Sequence, residues 1–303
     1  MTAVSCRNVS KSYGTRLVLE SIDFELQSGS VTGLAGPNGS GKTTLMKILC
    51  GLGIPSSGEV LIDGTRPKRL GRRDGTVGVF LGVENLHRGR SVVETLKIAA
   101  YLADVPSSRA VERLSWSGLE GVAGRLVDGL SLGMRVRLGM ALATLRDPRI
   151  LLLDEPLNGL DIDGIQWVRA VIARHAAAGG TTLVSSHLLR ELEDIADRTL
   201  IVSRGTLVRD LTMTEIRSNR STVLIRVAEV QPFESALAGT SWRYESSAGG
   251  WAVGADIDEV ARLAFDVGAL VLELRQAEGQ RLEDIFVDSV AGEFVPKVSE
   301  YPR

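Results

Sequence analysis

One stretch of nine residues, which we call the phosphate loop, has the composition and spacing of a loop that binds phosphate. It reads Gly36-Pro37-Asn38-Gly39-Ser40-Gly41-Lys42-Thr43-Thr44. Apolar residues 31–35 predict a strand before it and residues 45–49 a helix after it, which is the context that the pattern G-x-x-x-x-G-K-[ST] requires. Its glycines let successive backbone N–H groups turn toward one anion, and the helix N-terminus adds the positive end of its dipole. The loop therefore predicts binding of a nucleoside triphosphate.

Polar side chains with suitable chemistry occur inside the loop and after a second strand. In the loop, Lys42 is predicted to reach the β- and γ-phosphates and the Thr43 hydroxyl to ligate Mg²⁺. Asp154-Glu155-Pro156 follows the apolar run 150–153, which predicts a fully buried strand of a parallel sheet. A carboxylate at the end of such a strand can hold Mg²⁺ through water, and a second one beside it can polarise an attacking water. An acidic turn after a phosphate loop therefore indicates hydrolysis of the triphosphate.

Strands and helices alternate along the first two thirds of the chain and position these groups. The predicted elements are strands 4–9 and 22–26 with a turn at Gly14, strands 59–62 and 77–81, a helical stretch 91–145, strand 150–153, helix 165–178, strand 181–185, helix 188–196 and strand 199–203. This alternation favours an α/β layer fold with right-handed crossovers. Ligands of such sheets bind at the carboxyl ends of strands, where the phosphate loop and Asp154 both fall.

The pattern changes after about residue 211. The elements predicted there are strand 223–227, helix 232–237, a hairpin of 242–245 with 251–253, helix 257–265, strand 269–274 and a closing helix 282–290. The order β-α-β-β-α-β suggests a small ferredoxin-like unit.

Composition limits the classes of protein that remain. The chain has 303 residues, enough for two domains, and its formal net charge is −2 with both signs interspersed. It lacks the basic footprint of a nucleic-acid binder, so no nucleic-acid partner is predicted. Cys6 and Cys50 lack metal-ligand spacing, and buried thiols in a reducing cytosol are expected. There is no signal-peptide pattern, and every apolar run ends short of the ~20 residues of a membrane span, so action at a membrane would need a separate partner.

Four further motifs, in order with the phosphate loop and the acidic pair, resemble those of ATP-binding cassette (ABC) proteins. Leu130-Ser131-Leu132-Gly133-Met134 resembles the Leu-Ser-Gly-Gly-Gln signature of that family, and Gly159-Leu160-Asp161 resembles its loop between paired subunits. His187 matches the family's switch histidine, and Tyr13 matches the aromatic residue that stacks on adenine. Taken singly, a histidine after a strand is more often structural and a tyrosine in a turn is usually a packed ring. Six elements in the family's order indicate the family.

The resemblance implies a role for each matching residue. All nine residues of the phosphate loop would hold ATP, Thr43 and Asp154 would place Mg²⁺, and Lys42 would act with Glu155 and His187 in catalysis. Glu155 would be the general base or would orient the water, and His187 would contact the γ-phosphate. ATP would be held between two subunits, so its binding would close a dimer and its hydrolysis would reopen it.

The predicted partner side of that dimer departs from the family pattern. Ser131 and Gly133 open a predicted helix whose free N–H groups can bind an anion, which in the family is ATP held by the opposite subunit. Asp161 lies in the loop between the subunits. Leu132 and Met134 stand where the family usually has Gly and Gln. Because Ser131 and Gly133 are kept, a working composite site is expected.

A second departure lies after strand 77–81. The family places there a glutamine that senses Mg²⁺ and contacts the permease, whereas this chain has Gly82, followed by Val83, Glu84 and Asn85. Either Glu84 or Asn85 replaces that glutamine, or water fills the position and hydrolysis is slower.

The resemblance covers residues 1 to about 212 and implies an exporter's ATPase subunit, of the drug-export and drug-resistance branch, acting on a separately encoded permease. Residues 282–286 resemble the motif that closes the accessory domain of that branch. The domains predicted are a 1–212 ATP-binding domain with an antiparallel β subdomain and a helical subdomain at about 88–146, an α+β domain 213–292 and a tail 293–303. The implied partners are the permease and a second copy or a paralogous ATPase subunit, on the cytoplasmic face of the cell membrane.

Two other classes stay open. A soluble cassette ATPase that acts on ribosomes or DNA usually has two fused cassettes or long coiled-coil insertions, whereas this chain has one phosphate loop and no sustained heptads. A nucleotide-binding regulatory subunit with little turnover is disfavoured by Glu155 and His187, while Gly82 keeps that class open. Export itself is implied only by the resemblance, since importers share the same motifs.

Overall fold

The computed structural model describes residues 2–67, 75–214, 222–247, 250–276 and 286. The chain divides into two units, Met1–Asp210 and Leu211–Arg303. Up to residue 212 the strands are β1 (Thr2–Tyr13), β2 (Arg16–Gln27), β3 (Val31–Ala35), β4 (Ser57–Ile62), β5 (Val77–Phe80), β6 (Ile150–Leu153), β7 (Thr181–Ser186), β8 (Arg198–Ser203) and β9 (Thr206–Thr212). The α-helices of the same part are α1 (Lys42–Leu49), α2 (Val92–Leu102), α3 (Ser107–Trp116), α4 (Leu132–Ala143), α5 (Ile162–Ala177) and α6 (Leu189–Ile195).

A six-stranded sheet sets the geometry of the first unit. Its order is β5-β6-β7-β3-β8-β9, and the pairs from β5 to β8 are parallel. Every residue of β3, β6 and β7 is buried, as expected for parallel strands that are covered on both faces. The prediction of a parallel sheet with residues 150–153 as an interior strand is confirmed. The carboxyl ends of β6, β7 and β3 therefore lie side by side.

A second sheet is antiparallel and has the order β2-β1-β4. Gly14, at φ 59°, makes the predicted turn between β1 and β2. Both strands have 12 residues and extend beyond the predicted segments 4–9 and 22–26. The end of β1, residues 10–13, is mostly polar and partly buried, and the start of β2, residues 16–21, mixes polar and apolar residues, so neither part has a clear strand pattern in the sequence.

Helix α1, which follows the phosphate loop, lies between the two sheets. Its apolar residues 45–46 and 48–49 share one buried core with Leu26 of the antiparallel sheet and with Leu152 and Leu183 of the parallel sheet. Burying a large aliphatic side chain contributes about 1.5–3 kcal/mol. The helix is therefore held on two sides, and it fixes the end of the phosphate loop.

The predicted helical stretch 91–145 forms the three helices α2, α3 and α4 around an apolar core of its own, which includes Leu96, Leu114 and Leu138. Helix α2 begins with a capping box, in which Ser91 Oγ accepts from the Glu94 backbone N–H and the Glu94 carboxylate accepts from the Ser91 backbone N–H. Hydrogen bonds from Ser91 lower the pKa of Glu94. This subdomain carries the start of α4.

The second unit has its own sheet and core. Its elements are β10 (Thr222–Val227), α7 (Val230–Ala238), β11 (Arg243–Ser247), β12 (Gly250–Gly254), α8 (Ile257–Asp266) and β13 (Val271–Gln276). The sheet is antiparallel with the order β11-β12-β10-β13, and the Phe233 and Trp251 rings pack in its core with centroids 5.2 Å apart. Of the predicted closing helix 282–290, only Phe286 lies within the described residues. No helix in the described part of the chain is long and apolar enough to cross a membrane.

His175, near the end of α5, is a structural histidine. Its Nε2 lies 2.9 Å from the Pro148 carbonyl oxygen, which can only accept, so Nε2 carries the proton. Its Nδ1 then accepts from the Thr182 hydroxyl at 3.0 Å. Burial lowers the pKa of His175.

We expect this histidine to make the fold sensitive to acid. The unfolded chain binds a proton at His175 with a pKa of about 6.5 and the folded chain only at lower pH, so the unfolded state holds more protons between the two values. The contribution of His175 to the free energy of unfolding is therefore fully present above about pH 6.5 and is lost as the pH drops below it. The thermal midpoint should fall less steeply between about pH 7.5 and 5.5 in His175→Gln than in the parent. A variant at exposed His87, His87→Gln, should keep the parent's slope, and equal slopes in all three proteins would contradict the expectation.

Candidate active site

Three chain segments of chemical interest meet at one edge of the parallel sheet. The phosphate loop follows β3, Asp154-Glu155 follows β6, and His187 follows β7, which lies between those two strands. The topology therefore brings together residues that are more than 140 positions apart in the sequence. This is the edge at which ligands of such sheets bind.

The backbone of the phosphate loop is tightly curled and leaves no room for side chains at two glycines. A Cβ on Gly36 would lie 2.6 Å from Ser40 Oγ and against the Val202 carbonyl oxygen. Gly41 caps α1 with φ 109°, and a Cβ there would lie 2.6 Å from Leu19 Cδ2. Ser40 Oγ is buried without a hydrogen-bond partner in the part of the chain that the structure describes. A curled loop with an unpaired polar atom fits an anion as its ligand.

Lys42 points back over this loop. Its side chain is only 6% exposed, and Nζ donates to the carbonyl oxygens of Gly36 at 2.7 Å and Pro37 at 3.3 Å. Nζ also lies 3.5 Å from Glu155 Oε1. The ammonium group is thus placed between the loop and the acidic pair, where a phosphate oxygen would meet it.

Asp154 is buried and is held by hydrogen bonds on both carboxylate oxygens. Thr43 Oγ1 donates to Oδ2 and Ser185 Oγ donates to Oδ1, each at 2.6 Å. A hydroxyl and a carboxylate are hard oxygen ligands, which Mg²⁺ prefers together with substrate phosphates. No cluster of three or more acidic, His or Cys ligands occurs among the described residues. The donor set therefore fits a Mg²⁺ ion that arrives with a nucleotide.

Ser185 is a site residue that the sequence analysis missed. Its Oγ also accepts from the Glu155 backbone N–H at 2.9 Å, so one hydroxyl orients both acidic residues. The signal in the sequence was a pair of serines at the end of a buried strand, just before His187.

Glu155 and His187 contact each other directly. His187 Nδ1 lies 2.8 Å from Glu155 Oε2, and the His187 backbone N–H donates to the same oxygen at 3.4 Å. Glu155 has φ 49°, a left-handed backbone conformation that is uncommon for a residue with a side chain. Their side chains are 24% and 33% exposed, so both remain accessible to a small substrate. Strain of this kind is found at functional sites.

The remaining predicted residues lie at the surface, three of them exposed and Gly133 partly buried. Tyr13, at the end of β1, is 54% exposed, and Lys11 Nζ lies 4.9 Å from the centroid of its ring. Ser131 caps α4, its Oγ accepting from the Met134 backbone N–H at 3.2 Å, and Asp161 caps α5, accepting from the Gly164 backbone N–H at 2.8 Å. Gly133 lies in the first turn of α4. Both cap hydrogen bonds are made within the first turn of the capped helix and do not involve the phosphate loop.

At Gly82 a neighbouring carboxylate occupies the space that a side chain of residue 82 would need. Gly82 has φ 96°, and a Cβ there would lie 2.6 Å from the Glu84 carboxylate carbon. Asn85 Nδ2 donates to the Leu81 carbonyl oxygen at 2.6 Å. The Glu84 carboxylate thus folds back over Gly82, and replacement of the glutamine by Glu84, by Asn85 or by water stays a prediction.

Gly36→Ala should weaken nucleotide binding by about tenfold or more, because the Cβ meets a backbone carbonyl that cannot yield without moving the loop. Equilibrium binding of a fluorescent ATP analogue would measure this. Gly121→Ala, where a Cβ meets no atom within 4 Å, is the matched control. Unchanged nucleotide affinity in Gly36→Ala would contradict binding of the phosphates by the phosphate loop.

Sequence comparisons identify the family. The family model described as ABC transporter matches residues 19–158. The chain is 36% identical over 202 residues to the lantibiotic transport ATP-binding protein SrtF of Streptococcus pyogenes, which covers 67% of this chain and 87% of that protein. It is 31% identical over 298 residues to the bacitracin transport ATP-binding protein BcrA of Enterococcus faecalis, which covers 95% of this chain and 96% of that one.

The fold agrees with this assignment. A solved structure of the ATP-binding subunit of an ABC transporter matches with a TM-score of 0.65 and 26% identity, over 71% of this chain and 92% of that one. The matched family model includes the phosphate loop and the acidic pair, whose side chains converge at the sheet edge. The chain belongs to the ABC transporter family and is one of its ATPases.

Proposed function

We propose that this chain is the ATP-hydrolysing subunit of an exporter, in which two ATPase subunits close around two ATP molecules and drive a separate permease. The observation that carries the proposal is the convergence of Lys42, Asp154, Glu155 and His187 at one edge of the parallel sheet. A regulatory subunit without turnover would not need Glu155 and His187 to be in contact.

Within one subunit, the phosphate loop binds the phosphates through its backbone N–H groups, and the Lys42 ammonium group contacts the β- and γ-phosphates. Thr43 and Asp154 would hold Mg²⁺, which fits their hydroxyl and carboxylate oxygens. Bound there, the ion would offset charge on the phosphate oxygens. Ser185 keeps Asp154 in place through its second oxygen.

Glu155 orients the attacking water and accepts its proton. The water oxygen bonds to the γ-phosphorus while the bond from that phosphorus to the β–γ bridging oxygen breaks, giving ADP and phosphate. His187 Nδ1 donates to Glu155 Oε2, and in the imidazolium form, in which both ring nitrogens carry protons, Nε2 can donate to the γ-phosphate. Because Lys42 lies 3.5 Å from the other Glu155 oxygen, the carboxylate is held from two sides.

The second subunit completes the site. Ser131 and Gly133 lie at the exposed start of α4, whose first N–H groups can bind the γ-phosphate of ATP held by the other subunit. Tyr13 is exposed and stacks on the adenine of the ATP in its own subunit, and Asp161 lies in the loop between subunits. Binding of ATP then shifts the population toward the closed dimer.

The cargo we propose is a peptide antibiotic, within the drug-export branch. The support is the similarity, over most of the chain, to proteins named for lantibiotic and bacitracin transport. We propose that the chain acts on the cytoplasmic face of the cell membrane. The second unit is proposed as a ferredoxin-like accessory domain at 213–292, supported by its sheet order and its β-α-β-β-α-β connectivity.

Co-expression with a neighbouring gene product of about six apolar spans tests this function. Cells carrying both proteins should tolerate several-fold more bacitracin or lantibiotic than cells carrying the permease with a Glu155→Gln subunit. No gain in tolerance from an assembled complex would contradict export of these peptides. An equal gain with the Glu155→Gln subunit would contradict the ATP-driven mechanism and favour a regulatory subunit.

A further inference from the structure

Two helices of the first unit begin at residues of the proposed intersubunit surface and are joined near their starts. Helix α4 is capped by Ser131 and helix α5 by Asp161. A Cβ on Gly159 would lie 2.9 Å from Leu132 Cδ2, so the Leu132 side chain packs over Gly159, two residues before the α5 cap. Leu132 stands where the family signature has glycine, and this contact gives that departure a structural use.

Farther along, the same helices are joined by a row in which two aromatic rings lie between two cations. The Arg137 guanidinium of α4 lies 4.7 Å from the Trp167 ring centroid of α5, and Trp167 meets Trp116 of α3 in a T-shaped pair with centroids 5.2 Å apart. The Arg113 guanidinium lies 5.3 Å from the other ring, that of Trp116. Arg137 also donates to the Ser117 carbonyl oxygen at 3.3 Å. We call Arg137, Trp167, Trp116 and Arg113 the cation–aromatic row.

The cation–aromatic row connects the helical subdomain with helix α5, which follows the acidic pair. Trp116 packs against the core of the helical subdomain, whereas Trp167 belongs to α5, which starts eight residues after Asp154. Arg137 lies half-buried between them. Cation–aromatic contacts are strengthened when the cation is desolvated, and they are directional, so the row fixes orientation as well as distance. The start of α4 is thereby tied to the helix that follows the catalytic carboxylates.

We propose that Arg137 and Trp167 are positioning residues that hold Ser131 and Asp161 as one surface for the ATP of the opposite subunit. This inference rests on the proposed function. Within the described residues, the contacts of the Arg137 guanidinium and of the Trp167 ring do not include the phosphate loop. Loss of the row should therefore weaken closure of the dimer and leave ATP binding to a single subunit unchanged.

Arg137→Met and Trp167→Leu, each in a Glu155→Gln background, test the inference. We expect the dissociation constant of the ATP-bound dimer to rise about tenfold or more in each, with the Kd for a fluorescent ATP analogue within about twofold of the parent. Arg137→Lys and Trp167→Phe keep a cation or a ring and should restore most of the dimer affinity. The double variant should dimerise no more weakly than the weaker single variant, because both changes break one contact.

A matched control is Arg174→Met, at an exposed arginine of the same helix α5. Dimer affinity equal to the parent's in both test variants would overturn the inference. So would a loss that the conservative variants fail to restore, or one accompanied by an equal loss of ATP affinity, since these indicate general damage to the fold. If the Glu155→Gln parent does not dimerise at saturating ATP, the proposed function fails instead, and the two failures are thereby distinguished.

Discussion

Glu155→Gln should lower the steady-state rate of ATP hydrolysis by about 10²–10⁴-fold, the usual contribution of a positioned general base. Glutamine keeps the shape of the side chain but cannot accept the proton of the attacking water. The contact with His187 can be kept, because the amide oxygen can still accept a hydrogen bond at the position of Oε2. ATP affinity should therefore change little.

Phosphate release and binding of a fluorescent ATP analogue would be measured on the same preparations. Glu120→Gln, at an exposed carboxylate of the helical subdomain, makes the same chemical change away from the site and should retain full activity. If Glu155→Gln hydrolysed ATP at a rate within tenfold of the parent, Glu155 would not be the general base that accepts the proton of the attacking water.

Lys42→Met should weaken ATP binding by roughly 10- to 150-fold, because a hydrogen bond to a charged group contributes about 1.5–3 kcal/mol. Methionine keeps most of the apolar stem that is buried in the loop and removes the ammonium group. The Glu155 carboxylate then loses a cation 3.5 Å away, so hydrolysis should fall further than affinity does.

Lys47→Met on the same helix is the matched control, since Lys47 is exposed. Titration with the ATP analogue and a thermal midpoint would be recorded for both variants. A Lys42→Met protein that is folded and binds ATP as tightly as Lys47→Met would contradict the assignment of Lys42 to the phosphates.

The parallel sheet and the site's position at the carboxyl ends of its strands could be predicted from the sequence, because short local patterns encode the strands and the motifs that follow them. The run 150–153 is fully apolar and is recognised as an interior strand, the run 31–35 contains one polar residue, Thr32, and is recognised as a strand, and each is followed at once by its chemical motif. Strand β9 was missed because it is an edge strand, only partly buried, in which Arg209-Asp210 interrupts the apolar pattern. Helix α5 begins at Ile162 and was predicted to begin at 165, because its cap Asp161 was interpreted only as part of a loop.

Other features depend on contacts between distant segments, which no local pattern reveals. Ser185 becomes a site residue only because β7 lies beside β6, so that its hydroxyl meets Asp154. The Trp116–Trp167 pair joins helices about 50 residues apart, and neither ring has a distinctive neighbour in the sequence. Leu132 was interpreted as a departure from a motif, whereas its packing over Gly159 is visible only in three dimensions.

Sedimentation velocity with saturating Mg·ATP is the most direct test that one nucleotide is shared by two subunits. Glu155→Gln should sediment as a dimer with ATP and as a monomer without it. Adding Ser131→Arg to that variant places a bulky cation at the start of α4 and should return it to a monomer, while each subunit still binds ATP. A doubly substituted protein that forms the ATP-dependent dimer as readily as Glu155→Gln would show that the Ser131 surface takes no part in holding the nucleotide.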